Sequence, residues 1–302
     1  MIFFGISVLV VFFRIVKYLF VMINKNMSRL LICSEHDISS VNMRAQLLSK
    51  NEWEDQGSDG RNSYCVCGND VMLSTPDIHI HADDIDDVAK KFGIAVDDMI
   101  FMSRHKAASA IPTLTVHPIG NYKSADLGGK VGTLVKATPA LMTDALRKIA
   151  VMNDTEHEVS FEVTHHGPYV NVPTMFIEIG SDESRWGDIH AAEILANVIT
   201  TMEKNGYPNV VGIGGGHYAP RFTEISLRYK INFGHMIPNY QLENSSDDDI
   251  IRMLRLATEG TLTKMVYIHK KAIKKSEVMH ISDLIESIGL EIINSKDLEF
   301  LV

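Results

Sequence analysis

Met175-Phe-Ile-Glu-Ile-Gly-Ser-Asp-Glu183 leads through an amphipathic stretch at 184–204 to Asn209-Val-Val-Gly-Ile-Gly-Gly-Gly-His217, and this passage decides the fold class. Residues 175–179 and 209–213 have the length and apolar content of buried strands, and 184–204 has helical spacing closed by Gly206. A strand, helix, strand succession predicts parallel neighbours joined by a right-handed crossover, so 181–183 and 214–217 should emerge at the same sheet edge.

The alternation continues outward from there. Upstream, 29–33 reads as a strand and 39–48 as a helix opened by a serine cap. The polar 51–62 stretch reads as a loop, and 64–67 with 71–74 as a hairpin turning at Gly68-Asn69-Asp70. Residues 78–81 suggest a short strand, 84–91 a helix stopped near Gly93, and 99–102 and 113–117 two buried strands. The 118–132 segment carries Gly120, Gly128, Gly129 and Gly132 and reads as a mobile loop able to cover a site; 139–151 is a helix that packs on the sheet. Downstream, 247–258, 264–269 and 276–288 keep the alternation to the end. The expectation is an α/β fold with a mixed, largely parallel sheet flanked by helices, in a single domain over 27–302.

With 302 residues, 45% of them apolar, the chain can bury a large core. A formal charge of -9 and a pI near 5.8 argue against a protein that coats nucleic acid nonspecifically, while leaving room for a basic patch on an acidic body. Local positive bias falls at 104–136, with Lys106, Lys123, Lys130 and Lys136. Cys33, Cys65 and Cys67 are an odd set without zinc-knuckle spacing, which suits a reducing cytoplasm, and Cys65-Val-Cys67 reads as neighbouring strand residues. The apolar extension at 1–26 is interrupted by Arg14 and Lys17. It fits neither a span of roughly 20 apolar residues nor a signal peptide. It reads as a mis-assigned start, with a weak interfacial anchor the competing reading; a membrane is not an expected partner.

The chemistry-bearing residues gather where apolar runs stop. Phe161-Glu-Val-Thr-His-His-Gly-Pro168 ends in two imidazoles, suited either to zinc or to proton transfer. Strand alternation would send His165 and His166 to opposite faces unless the strand has already broken. Glu178 lies inside an apolar strand and requires a partner: a metal, a histidine, or Arg104, the plain alternative being a structural ion pair. Asp182 and Glu183 read as caps for the helix at 184. Gly214, Gly215 and Gly216 either present amides to an oxyanion or form a tight turn, and His217 beside them is the stronger candidate. Ser103-Arg-His-Lys106 places a guanidinium next to an imidazole; Ser109 lacks a nucleophile elbow. His190, Glu193 and Asn197 read as a solvated stripe.

Ser103-Arg-His105, Thr113-Leu-Thr-Val-His117, Thr164-His-His-Gly-Pro168, Pro173-Thr-Met-Phe-Ile-Glu-Ile-Gly-Ser181, Trp186 and Gly214-Gly-Gly-His-Tyr-Ala-Pro220 together resemble the archaeal and plant type of D-aminoacyl-tRNA deacylase. The likeness covers roughly 28–300. It implies a cytoplasmic, zinc-dependent hydrolase that cleaves the ester between a D-amino acid and the terminal ribose of tRNA, on a fold similar to phosphorylases and peptidyl-tRNA hydrolases. Its partner would be D-aminoacyl-tRNA, not DNA. The residues expected to carry this are His165, Glu178 and His217 as metal ligands and His166 as the proton carrier, with His105 a further ligand or catalytic imidazole. Arg104, Lys106 and Lys123 would meet the tRNA end, Gly214, Gly215 and Gly216 the oxyanion, and a wall in the pocket would reject the L-enantiomer. A zinc-dependent, peptidase-like hydrolase of small substrates is the competing reading.

Overall fold

The computed structural model describes residues 29–108 and 110–301, so the readings of 1–26 and of Ser109 lie outside the described residues. The chain runs β1 (Arg29–Ser34), α1 (Ile38–Lys50), β2 (Glu54–Ser58), β3 (Ser63–Cys67), β4 (Asp70–Thr75), a 3-10 turn at His79–His81, α2 (Ile85–Lys91), β5 (Asp98–Arg104) and β6 (Thr113–His117). A short ribbon follows, β7 (Gly120–Asn121) with β8 (Thr133–Leu134), then α3 (Pro139–Met152), β9 (Glu158–Phe161) and β10 (Thr174–Gly180). Next come α4 (Glu183–Trp186), α5 (Ile189–Thr201), β11 (Asn209–Ile213), α6 (Pro220–Arg228) and β12 (Asn232–Ile237). The remainder is α7 (Asn239–Leu242), α8 (Asp247–Thr261), β13 (Met265–Ile268), α9 (Lys275–Ser287) and β14 (Glu291–Ile293).

Eight strands form one mixed sheet in the order β2-β3-β4-β1-β5-β10-β6-β9, and four form a second in the order β12-β11-β13-β14. In the first, β4, β1, β5 and β10 are mutually parallel, whereas β6 enters antiparallel to β10. The second is parallel throughout. One apolar cluster runs from Leu31 and Met102 of the large sheet through Leu146 and Leu195 of the helices to Phe233 and Tyr267 of the small one. Among the described residues, no helix is long and apolar enough to cross a membrane.

The parallel-neighbour expectation fails for 175–179 and 209–213, because β10 belongs to the large sheet and β11 to the small one. Both edges of β10 are already taken, by β5 and β6, so β11 has no place beside it. The helix between them is also broken: α4 ends at Trp186, and Asp188 opens α5 by accepting from the Ala191 amide. Three local readings change as well. The 51–62 stretch contains β2, an exposed edge strand whose polar residues carry no buried face to mark it. Residues 78–81 form a 3-10 turn rather than a strand. Helix α1 is capped by Asp37, which accepts from the Ser39 and Ser40 amides, while Ser39 and Ser40 are buried. The hairpin is present as β3 and β4, with free thiols at Cys65 and Cys67.

Arg147 on α3 fastens that helix to the connection between α6 and β12. Its Nε donates to the Ser226 carbonyl at 2.9 Å, and Nη2 donates to those of Tyr229 and Ile231 at 3.0 and 2.8 Å. Arg147→Ala leaves these carbonyls without their charged donor. It is expected to cost about 2–3 kcal/mol, read as a lower urea midpoint with an unchanged m-value.

Candidate active site

Residues in β10 and at the ends of β5, β6 and β9, with the bend after β11, bring two buried carboxylates and five imidazoles together. Glu178, in β10, is paired across the sheet with Ser103 on one side and Thr115 on the other. His105 follows β5 and His117 ends β6, so both rings reach it. His105 Nδ1 lies 3.5 Å and His117 Nε2 3.4 Å from Glu178 Oε2. The partner that Glu178 required is therefore histidine. Arg104 instead stacks its guanidinium over Trp186 at 4.5 Å and donates its amide to Asp37. The indole in turn holds the His105 carbonyl at 2.7 Å.

Glu162 follows directly after β9 and is fully buried. A single oxygen, Oε2, lies 3.1 Å from His105 Nδ1, 3.5 Å from His165 Nε2 and 2.9 Å from His217 Nε2. Strand β9 has ended by Phe161, and His166 has a positive φ of 44°. His165 and His166 are consequently not sent to opposite faces: their ring centroids are 4.3 Å apart, and His165 lies 4.4 Å from the His117 ring.

The hydrogen bonds fix which nitrogen each ring turns inward. His117, His165 and His166 direct Nδ1 at the carbonyls of Pro118, Val163 and Gly167, at 3.2, 2.7 and 2.5 Å. An Nδ1–H donated in this way leaves Nε2 of His165 and His166 as a lone pair, the arrangement that orients metal-ligating histidines, whereas His117 Nε2 faces the Glu178 carboxylate. Three trios could each hold a cation: His117, His165 and His166; His105, Glu162 and His217; and His117, Glu162 and Glu178. Of the expected ligands, His165, Glu178 and His217 all reach the cluster but fall in three different trios. Several buried atoms without a hydrogen-bond partner among the described residues converge here: His105 Nε2, His117 Nε2, Glu162 Oε1, Glu178 Oε2 and the Tyr218 hydroxyl.

The charges follow from these contacts. Burial disfavours charge on both carboxyls, yet the His217 hydrogen bond and the charge of His105 hold Glu162 down at about 2. Glu178 is held well below the carboxylate range, where His117 and His105 together outweigh burial. Burial likewise opposes charge on His105 and His117, but the two carboxylates overcome it and raise both. His165 and His166 lose to burial and to the neighbouring imidazoles; His166 falls to about 4, and both stay neutral.

Stability should depend on pH through the buried imidazoles. Burial also lowers His79 to about 3 and His235 to about 4. A lowered imidazole withholds from the folded chain a proton that the unfolded chain binds, so stability falls as pH falls from about 6.5 towards 4. Each of His79, His166 and His235 contributes about 1.4 kcal/mol per pH unit in that window, and His165 acts in the same sense. Asp37, raised by burial to about 6, acts in the opposite sense and offsets one of them. Urea midpoints should drop steadily from pH 7 to pH 5, and His235→Gln should make the slope shallower.

Two of the three glycine amides expected to meet the oxyanion are already committed. The Gly214 amide donates to the Ile237 carbonyl at 2.8 Å and the Gly215 amide to Asn239 Oδ1 at 3.0 Å, so neither is a free donor; Gly216 is exposed. The role of the bend is to deliver His217. Lys106 is exposed and Lys123 half-buried, both outside the cluster of rings. The 118–132 segment does lie against the site, but as a packed structure: Asn121 donates to the Gly128 carbonyl, and the Gly167 amide donates to that of Leu127. Sequence reasoning missed three residues, Glu162, His117 and Tyr218. Glu162 and His117 carried usable signals, a carboxylate inside the apolar run Phe161-Glu-Val163 and an imidazole at the end of a strand.

A mixed α/β sheet whose strand ends converge imidazoles and carboxylates on one buried point defines an α/β enzyme of the hydrolase class. The chain belongs to the D-aminoacyl-tRNA deacylase family, whose profile matches residues 92–293 and so spans every residue of the cluster. It is 34% identical over 288 residues to the D-aminoacyl-tRNA deacylase of Methanosarcina mazei, covering 91% of this chain and 95% of that one. To the protein of that name in Methanococcoides burtonii it is 35% identical over 280 residues, 90% of this chain but only 58% of the longer relative. A crystal structure of a conserved protein of unknown function, AF0625, superposes with a TM-score of 0.82 at 30% identity, covering 92% of this chain and 99% of the other.

Proposed function

We propose that this chain hydrolyses the ester between a D-amino acid and tRNA, releasing free tRNA and the D-amino acid, and that it does so in the cytoplasm. The observation that carries the reading is the convergence of Glu162 and Glu178 with five imidazoles inside the segment matched by the family.

Neutral His166, with its Nδ1 proton committed to the Gly167 carbonyl, offers Nε2 to take the proton from the attacking water. His105, whose basicity Glu162 and Glu178 raise against burial, is placed to give a proton to the ribose oxygen as the ester C–O bond breaks. The Tyr218 hydroxyl, buried without a partner beside the His105 and His217 rings, is a donor for the tetrahedral oxyanion. The inward Nε2 atoms and the unpartnered carboxylate oxygens also suit zinc, with His165, Glu178 and His217 among the residues that would hold it, alongside His105, His117, His166 and Glu162. When bound, such an ion supplies Lewis acidity at the ester carbonyl.

The test is incubation of the purified protein with D-tyrosyl-tRNA, L-tyrosyl-tRNA and a peptide set, with and without chelator. Expected are preferential cleavage of the D-ester, inert peptides, and a loss of about 10²-fold or more on chelation that added zinc restores. Equal hydrolysis of both enantiomers would defeat the proofreading reading, and cleavage of the peptides would favour the peptidase-like one. Indifference to chelator would remove the metal and leave deacylation standing.

A further inference from the structure

The strongest positive feature outside the cluster is the loop between β13 and α9, His269-Lys-Lys-Ala-Ile-Lys-Lys275, which places four exposed lysines within six residues on a chain of net charge -9. Lys270 donates to Asn294 Oδ1 and Lys274 lies 3.6 Å from Glu277, whereas Lys271 and Lys275 form no ion pair among the described residues. The loop is fastened to the bend that delivers His217. The His269 amide donates to the Ile213 carbonyl at 2.8 Å. Asn239 bridges the two segments: it receives the Gly215 amide on Oδ1 and donates from Nδ2 to the Ala272 carbonyl at 2.6 Å. Ile273 packs so closely on Gly214 that a Cβ there would meet it at 3.0 Å. The loop is thus fastened to the bend that carries His217, whose side chain is 39% exposed.

We propose that this lysine loop is the docking surface for backbone phosphates at the acceptor end of the tRNA, holding the RNA while its 3′ ester reaches the buried cluster. The inference rests on the deacylase reading and adds to it the place and chemistry of RNA contact. Clustered lysines bind phosphate without reading sequence, which suits an enzyme that must accept tRNAs charged with different amino acids. Asn239 makes the coupling stiff, since it ties the loop and the His217 bend into one unit.

The test compares the native protein with the doubles Lys271→Gln/Lys275→Gln and Lys271→Glu/Lys275→Glu. Affinity for uncharged tRNA is followed by fluorescence anisotropy at several salt concentrations, and hydrolysis is followed on D-tyrosyl-tRNA and on D-tyrosyl-adenosine, which lacks the RNA stem. The expected result is roughly tenfold weaker tRNA binding, a salt slope lower by about one for each phosphate no longer neutralised, and a raised KM for D-tyrosyl-tRNA with kcat unchanged. Cleavage of D-tyrosyl-adenosine should not change. Unaltered tRNA affinity and salt slope in folded variants would overturn the proposal. A parallel loss on both substrates would also overturn it, because the loop would then be acting through the bend on His217. If the native protein cleaves no D-aminoacyl ester, the deacylase reading falls, while the binding measurements still decide whether the loop holds RNA.

Discussion

Glu162→Gln is expected to lower kcat/KM for D-tyrosyl-tRNA by about 10³-fold while leaving the protein folded. One oxygen of this carboxylate serves His105, His165 and His217, and the other has no hydrogen-bond partner among the described residues. Glutamine preserves the volume but removes the charge, so His105 loses one of the two carboxylates that raise its basicity against burial. A merely structural ion pair predicts otherwise: replacing such a buried charge with a neutral isostere would change stability and leave the rate nearly intact. The check pairs single-turnover rates with urea unfolding. A variant that retains native stability and more than about a third of the native rate would remove Glu162 from the chemistry.

The second large effect lies in backbone packing beside the site. A Cβ at Gly128 would sit 1.6 Å from the Ile80 carbonyl oxygen, and Gly128 also has a φ of +78°. Backbone cannot yield as a flexible side chain would, so Gly128→Ala is expected to cost about 3 kcal/mol or more. Activity should fall with it, because the segment holds the turn that orients His166: the Gly167 amide donates to the Leu127 carbonyl at 3.0 Å. Gly216→Ala is the matched control. Nothing lies within 4 Å of its added Cβ, and stability should stay within about 0.5 kcal/mol of native. Thermal unfolding of the two variants side by side reads the contrast.

Much of this was legible in the sequence where one residue type broke a pattern. Glu178 announced itself as a carboxylate in Met175-Phe-Ile-Glu-Ile179, and its partners are buried imidazoles as the energetics required. The fold class was readable from alternation of strand and helix. The division into two sheets was not, because a crossover of given length does not reveal whether the receiving edge is free, and both edges of β10 are occupied by strands that precede it in the chain. Strand β2 was invisible for a related reason: an exposed edge has no apolar face to give it a period. The facing of His165 and His166 depended on where β9 stops and on a positive φ at His166, neither of which periodicity encodes. The glycine bend misled because Gly-Gly-Gly suggests open amides, whereas Asn239, from a segment 24 residues away, accepts one of them.

The central claim is that the buried cluster around Glu162 and Glu178 cleaves the D-aminoacyl ester of tRNA. Its most direct test is the single-turnover rate on D-tyrosyl-tRNA and L-tyrosyl-tRNA, measured with enzyme in excess for the native chain and for Glu162→Gln/Glu178→Gln. The account predicts fast cleavage of the D-ester, slow cleavage of the L-ester, and loss of the D-specific rate in the double variant. A D-specific rate that survives the loss of both carboxylates would contradict it.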